Sequence, residues 1–378
     1  MKRPLLVLAG IMGRYPVGGV TWCALQYIQG FRQLGYDVFY LEDTGECGFD
    51  PIINGIAKDP SYAVRYIRRH LEQIGIPDAW SYVDHRGRYH GQDRDAVASV
   101  CAEAQAMVNL SGGCWFSRPE YERMRKVFID TDPGFTQRAI VQTNAAWYRE
   151  FFEAQDALFT FALNIGTPGC SIPIAPPRWQ PTIQPVVLDF WPVTPVPAES
   201  PWTTVLSWRL DNFGVSRGKG GDIIRMFDLP RRSGERVLLA VSGQAPIDLL
   251  TTRGWQTTDA VAATRDTDAY RCFIQASRGE LGFAKAMYVQ TGSGWFSDRT
   301  QCYMASGRPA VVRDTGFGSV LPCGEGLLAF TDVDGAVRAM GAVRADYGRH
   351  ARRAREIAGE YFAAEKVLRS LLERADLA

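Results

Sequence analysis

Residues 4–10 read PLLVLAG, an unbroken apolar run closed by glycine, the pattern of a strand buried on both faces of a parallel sheet. After the loop IMGRYPVGG, residues 20–35 read VTWCALQYIQGFRQLG, where Trp22, Leu25, Ile28, Gln29 and Leu34 recur at close to a helical period. YDVFYLEDTG follows as a second strand, so the opening of the chain reads as a strand–helix–strand unit. Residues 58–75, KDPSYAVRYIRRHLEQIG, predict a helix that stops at Gly75 ahead of a proline. Further strands are predicted at AMVNLSG, KVFIDTD and ALFTFALN.

Between Pro173 and Pro201 the pattern breaks. The proline density there admits neither a helix nor a central strand and predicts an extended connection between domains. Beyond it the alternation resumes. TTVLSWRL and RVLLAVSG predict strands either side of a helix around GDIIRMFDLP, and PAVVRDTG a later strand. From about Asp334 the tail reads as helix. Two α/β units of this kind would place a cleft between the carboxyl ends of two sheets, where small ligands bind.

Totals narrow the function classes. A chain of 378 residues is long for one core, which favours two domains. Net charge is +1, so nucleic acid is not indicated by charge, nor is an anionic membrane. No apolar run is long enough for a membrane span and MKRPLLVLAG is too short for a signal peptide. The eight cysteines form no C-x-x-C pair and no metal-like spacing with the four histidines; buried thiols and a reducing cytoplasm are the expectation. Arg349, Arg352, Arg353 and Arg355 read as a solvated helix face.

Thr291–Pro309, TGSGWFSDRTQCYMASGRP, poses the sharpest question. Ser297 or Asp298 can cap a helix and Gly307 can end it in a left-handed turn. Gly292, Ser293, Gly294 and Arg299 also gather where a helix N-terminus attracts anions. Asp130 and Asp132 close the predicted strand KVFID; Asp132 can act as a base toward an acceptor hydroxyl, or form a turn in Asp132-Pro133-Gly134. PVGG, with Gly18 and Gly19, is not G-x-G-x-x-G, which argues against a dinucleotide cofactor.

Four stretches resemble the GT-B glycosyltransferases, with a donor domain like that of glycosyltransferase family 4. They are PVGG; SWRLDNFGVSRGKGGDIIRMF; SRGELGF; and YMASGRPAVVRDTGFGSVLPCGEGLLAF. The resemblance implies two Rossmann-like, doubly wound parallel-sheet domains facing a cleft. Residues 1–185 would be the acceptor side, with a final helix at about 358–378 packing back on it, and 200–355 the donor side. It implies sugar transfer from a nucleotide-sugar donor, UDP- or dTDP-linked, to a small-molecule or polymer-end acceptor, with no metal or other cofactor. Arg209 and Lys219 would hold the diphosphate, joined by Gly18, Gly19, Ser293, Gly294, Asp298 and Arg299. Glu280 would hold a sugar hydroxyl, or pair with Arg278; Glu325 would contact ribose, or belong to a turn. Where the family carries its ribose-binding glutamate this chain has Cys302, which leaves Asp298 or Gln301 to replace it. That departure keeps open a noncatalytic nucleotide-sugar-binding protein; a nucleotide-sugar epimerase is the third reading.

Overall fold

The computed structural model describes residues 3–115, 118–143, 145–174, 178–208 and 218–378. The first sheet contains β1 (Leu5–Ala9), β2 (Asp37–Glu42), β3 (Trp80–Val83), β4 (Tyr89–Gly91), β5 (Ala106–Leu110), β6 (Arg125–Asp130), β7 (Ala157–Thr160) and β8 (Trp179–Pro181). Their order across the sheet is β8-β7-β6-β5-β1-β2-β3-β4, parallel except for the β3–β4 pair. The second sheet contains β9 (Trp202–Ser207), β10 (Val237–Ser242), β11 (Gln256–Asp259), β12 (Gly279–Gly282), β13 (Ala310–Arg313) and β14 (Leu327–Phe330), in the order β11-β10-β9-β12-β13-β14 and parallel throughout. These are two Rossmann-like sheets. The unbroken apolar runs account for them: Leu6, Val7, Leu8 and Ala9 of β1 are all fully buried, as a strand covered on both faces requires.

The first helix, α1 (Gly18–Gln33), begins two residues earlier than the hydrophobic period predicts, so Gly18 and Gly19 form its first turn and not a free loop. A side chain at Gly18 would place its Cβ 2.6 Å from Cβ of Tyr270, on α2 (Thr267–Gln275) of the second domain. Only hydrogen fits where these helices meet. At the other end of α1, Gly30 lies under α5 (Ala364–Arg374), where an added Cβ would come 2.5 Å from Leu368. The last helix therefore rests on the first domain.

The proline-rich segment is less of a free linker than its composition predicts. Trp179–Pro181 joins the sheet edge as β8, and Val186 pairs with Ala363 just before α5. Proline is tolerated there because an edge strand leaves one row of N–H groups unused. Gln26 of α1 then fastens the segment, its Oε1 accepting from Val187 N–H and Trp191 Nε1–H at 3.2 and 3.1 Å. Arg355, on α4 (Tyr347–Ile357), donates to the carbonyls of Trp191 and Ala305, so it is not part of a solvated face. Its guanidinium ties the connection to the second domain.

One hydrophobic cluster unites the halves. It runs from Leu8, Val108 and Ile129 of the first sheet through Trp22 and Ile28 of α1 to Tyr303, Met304 and Phe362. A second cluster, including Trp202, Leu239 and Met340, fills the second domain alone. Among the described residues no helix is long and apolar enough to cross a membrane.

Candidate active site

The second domain gathers charge at the carboxyl ends of β9, β12 and β13. Lys219 precedes a short helix, Gly220–Arg225, and its Nζ stands 5.5 Å from the centre of the Trp295 ring. Burial, and then the neighbouring Arg299 guanidinium, pull its pKa down to about 7. Arg299 lies on α3 (Asp298–Ala305) and is nearly inaccessible. Its Nε donates to Glu280 Oε1 at 2.7 Å and its Nη1 to the Val205 carbonyl at 2.6 Å. Its Nη2 is buried with no partner among the described residues, and so is Glu280 Oε2. Glu280, fully buried inside β12, thus balances Arg299 from beneath the cleft; it does not pair with Arg278. Arg299, Thr300 and Arg313 line a narrow cavity at these strand ends.

A buried guanidinium with an N–H unmatched among the described residues, beside a lysine whose pKa is lowered by burial and then by that guanidinium, is an arrangement that an anion would relieve. The structure brings Lys219, Glu280, Asp298 and Arg299 together. Arg209 lies outside the described residues.

The loop before α3 plays a different part from the one its glycines suggest. Gly292 has φ +56° and Gly294 φ +71°, conformations that favour glycine. What crowds these positions is the first domain: an added Cβ on Gly294 would meet Asn164 Cγ at 2.9 Å, and one on Gly292 would strike the Gly169 carbonyl. Asn164 N–H donates to the Ser293 carbonyl at 3.1 Å, and its Nδ2 to the Gly292 and Gly316 carbonyls at 3.0 and 2.9 Å. Ser293 is fully buried and donates to the Tyr288 carbonyl at 3.1 Å. The loop is a strap across the domain boundary, and its glycines are accounted for by the close approach of Asn164 and Gly169. No side chain caps α3: Ser297 Oγ sits 3.4 Å from Asp298 Oδ1 instead. Gly307, at φ +68°, ends the helix with Arg308 N–H on the Tyr303 carbonyl and Gly307 N–H on that of Met304.

Two other residues sit away from the expected chemistry. Glu325 lies before β14, at the amino end of the sheet, where Arg349 clasps its carboxylate on an exposed surface. It lies at the opposite end of the strand from a ribose held at the carboxyl ends, so Glu325 belongs to a surface ion pair and not, as the resemblance implied, to donor binding. Asp132 projects from the end of β6 into the boundary, but Lys285 Nζ bonds both its oxygens at 2.7 Å and the Tyr288 hydroxyl bonds one of them. Lys285 also lies 5.0 Å from the Phe135 ring centre, so this carboxylate is engaged in joining the domains. Cys302 is buried, its thiol donating to the Asp298 carbonyl at 3.3 Å, and Gln26 of α1 approaches its sulfur at 3.9 Å. It packs against the first domain.

Three residues gain importance that the sequence did not signal. Trp295 stacks on Tyr288 at 4.4 Å and donates from Nε1 to the Thr131 carbonyl at 3.3 Å. Asn164 fixes the strap. Glu42, at the end of β2, accepts from Gly13 N–H and Arg14 N–H at 2.7 and 2.6 Å and from Tyr40 Oη–H at 2.7 Å, shaping the loop after β1. Burial lifts its pKa to about 7 against these hydrogen bonds.

Whole-chain comparison with solved structures decides the architecture. An alpha-glucosyltransferase in complex with UDP and a 13-mer DNA superposes over 100% of both chains with a TM-score of 0.58 at 9% identity. The chain has the GT-B glycosyltransferase fold. Other GT-B structures agree: Anabaena HepE in complex with UDP matches with a TM-score of 0.56 at 12% identity, over 99% of this chain and 100% of that one. Sucrose-phosphate synthase from Thermosynechococcus elongatus matches with a TM-score of 0.52 at 11% identity over 98% of both. At these identities the likeness extends to the GT-B architecture and not to a branch within it. No protein-family model matches the sequence, and no curated protein matches it.

Proposed function

We propose that the chain is a glycosyltransferase that takes its sugar from a nucleoside-diphosphate donor, with the diphosphate held by Lys219 and Arg299 on the second domain. The observation that carries this reading is the buried Arg299 Nη2, without a partner among the described residues, next to an ammonium whose pKa has fallen to about 7. Arg299 lines the strand-end cavity, Lys219 lies within reach of its charge, and Glu280 sits behind Arg299. As the bond from the anomeric carbon to the diphosphate breaks, charge grows on the departing oxygen, and preorganised cations stabilise it without reorganising. UDP and UDP-glucose, bound in several GT-B structures of the same shape, are the nucleotides to test first.

Calorimetric titration with UDP is the direct experiment. Wild type is expected to bind, and Arg299→Lys and Lys219→Met to weaken binding by about ten- to a hundredfold each, the span of a lost charge-assisted hydrogen bond. Undiminished affinity in both variants refutes the site. The burial of Cys302 against α1, where family members carry a ribose-binding glutamate, supports a second reading: a binding protein without turnover. Release of free sugar from UDP-glucose separates them, since a binding protein holds the donor intact.

A further inference from the structure

A cavity of about 140 Å³ lies between the domains beside the candidate diphosphate site, and Trp295 lines both. Its walls are chiefly hydrocarbon: Ile11 after β1, Val20 of α1, Leu110 at the end of β5 and Phe161 after β7, closed by the Trp295 ring. Polar groups occupy one edge. The Ser111 and Thr131 hydroxyls bond each other at 2.7 Å, which uses much of their capacity. Ser111 holds φ +58°, a conformation unusual for a residue with a side chain and one that concentrates at ligand sites. The Asp298 carboxylate also lines the cavity, and among the described residues its only side-chain partner is Ser297 Oγ at 3.4 Å.

We propose that this cavity receives the acceptor, and that the acceptor is a compact alcohol or phenol with a hydrocarbon body, not a free sugar. The proposal rests on the glycosyltransferase reading. An apolar cavity of about 150 Å³ lined by aliphatic and aromatic side chains admits a body the size of benzene. A pyranose of that size would press several hydroxyls against Ile11, Val20, Leu110 and Phe161, each losing water without a replacement hydrogen bond. One hydroxyl, directed at the Asp298 edge, can be satisfied. In the transfer, the acceptor oxygen forms its bond to the anomeric carbon while the bond from that carbon to the diphosphate oxygen breaks, the electron pair leaving with the diphosphate. The acceptor proton passes to the Asp298 carboxylate. Asp132, held by Lys285 and Tyr288, has no part in this step.

Saturation-transfer NMR on the UDP-treated protein tests the assignment with phenol and methyl glucoside as probes. Phenol is expected to receive saturation and methyl glucoside to receive none. Val20→Phe, which fills the cavity, should cut the phenol signal at least tenfold while UDP binding persists; Ile11→Phe fills it from the loop after β1 and serves if Val20→Phe does not fold. A phenol signal unchanged in the folded filled variant, or methyl glucoside binding as strongly as phenol, overturns the proposal. UDP binding is scored separately: its loss would remove the glycosyltransferase reading, while the contrast between phenol and methyl glucoside would still report on the cavity.

Discussion

The depressed pKa of Lys219 makes donor binding a proton-uptake reaction. In the free protein its value is about 7, set by burial and by Arg299. Between that value and the ordinary 10.5, the unfolded chain holds the proton and the folded chain has lost it. Stability from this group therefore rises with pH across that window when the site is unliganded. A bound diphosphate reverses the balance by placing negative charge beside the ammonium. At pH 8 roughly a tenth of free molecules carry the Lys219 charge, and nearly all would carry it with UDP bound, an uptake of about 0.9 proton. At pH 6 the lysine is already protonated and uptake shrinks to about 0.1 proton. Calorimetry in buffers of differing protonation enthalpy measures this as the slope of binding heat against that enthalpy. The slope should be near 0.9 at pH 8, small at pH 6 and absent at pH 8 in Lys219→Met. UDP binding with no slope at pH 8, or an equal slope in Lys219→Met, refutes the assignment of Lys219 to the diphosphate.

Other outcomes follow from the packing. Gly18→Ala should cost about 1–3 kcal/mol in urea unfolding, because the new methyl meets Asp266 and Tyr270 of the facing helix and a packed interface cannot absorb it freely. Asp132→Asn should change stability by less than about 1 kcal/mol, since the carboxylate is half-exposed, and should leave turnover within about tenfold of wild type; a loss of a hundredfold would return it to the role of base. Glu42 holds its proton more tightly folded than unfolded, so its ionisation erodes stability as pH rises from about 4.5 to 7. Melting curves across that range should flatten in Glu42→Gln, and an unchanged profile would contradict the raised value.

Much of the architecture was legible because burial on both faces leaves a strand no polar positions: PLLVLAG and RVLLAVSG carry that mark directly. Gly307 was legible for a similar reason, since a helix stop of this kind is a local backbone event. The strap was not. Gly292 answers to Asn164 and Gly169, more than a hundred residues away in sequence, and a nearby helix N-terminus offered an explanation closer to hand. Glu325 misled because a carboxylate between two glycines looks alike at either end of a strand, and only sheet direction shows that it faces away from the cleft. Arg355 shows the same limit: its spacing matches a solvated face, yet its guanidinium reaches carbonyls of two distant segments. Lys219 and Glu280 of the candidate site were named through motif resemblance; the Arg299–Glu280 pairing needed the fold.

The hydrophobic cluster shared by the two halves bears on how this chain could be rebuilt. In a modular enzyme, a donor half could be exchanged for that of a relative to change the nucleotide accepted. Here the cut would open a surface on α1 meant for Tyr303 and Met304, and strand the Asn164 amide without the strap carbonyls. Neither half carries a finished outer layer of its own. A chimera joined within the connection after Trp191 should aggregate unless α1, the strap and α5 are transplanted as a set, so the unit of exchange is the boundary itself.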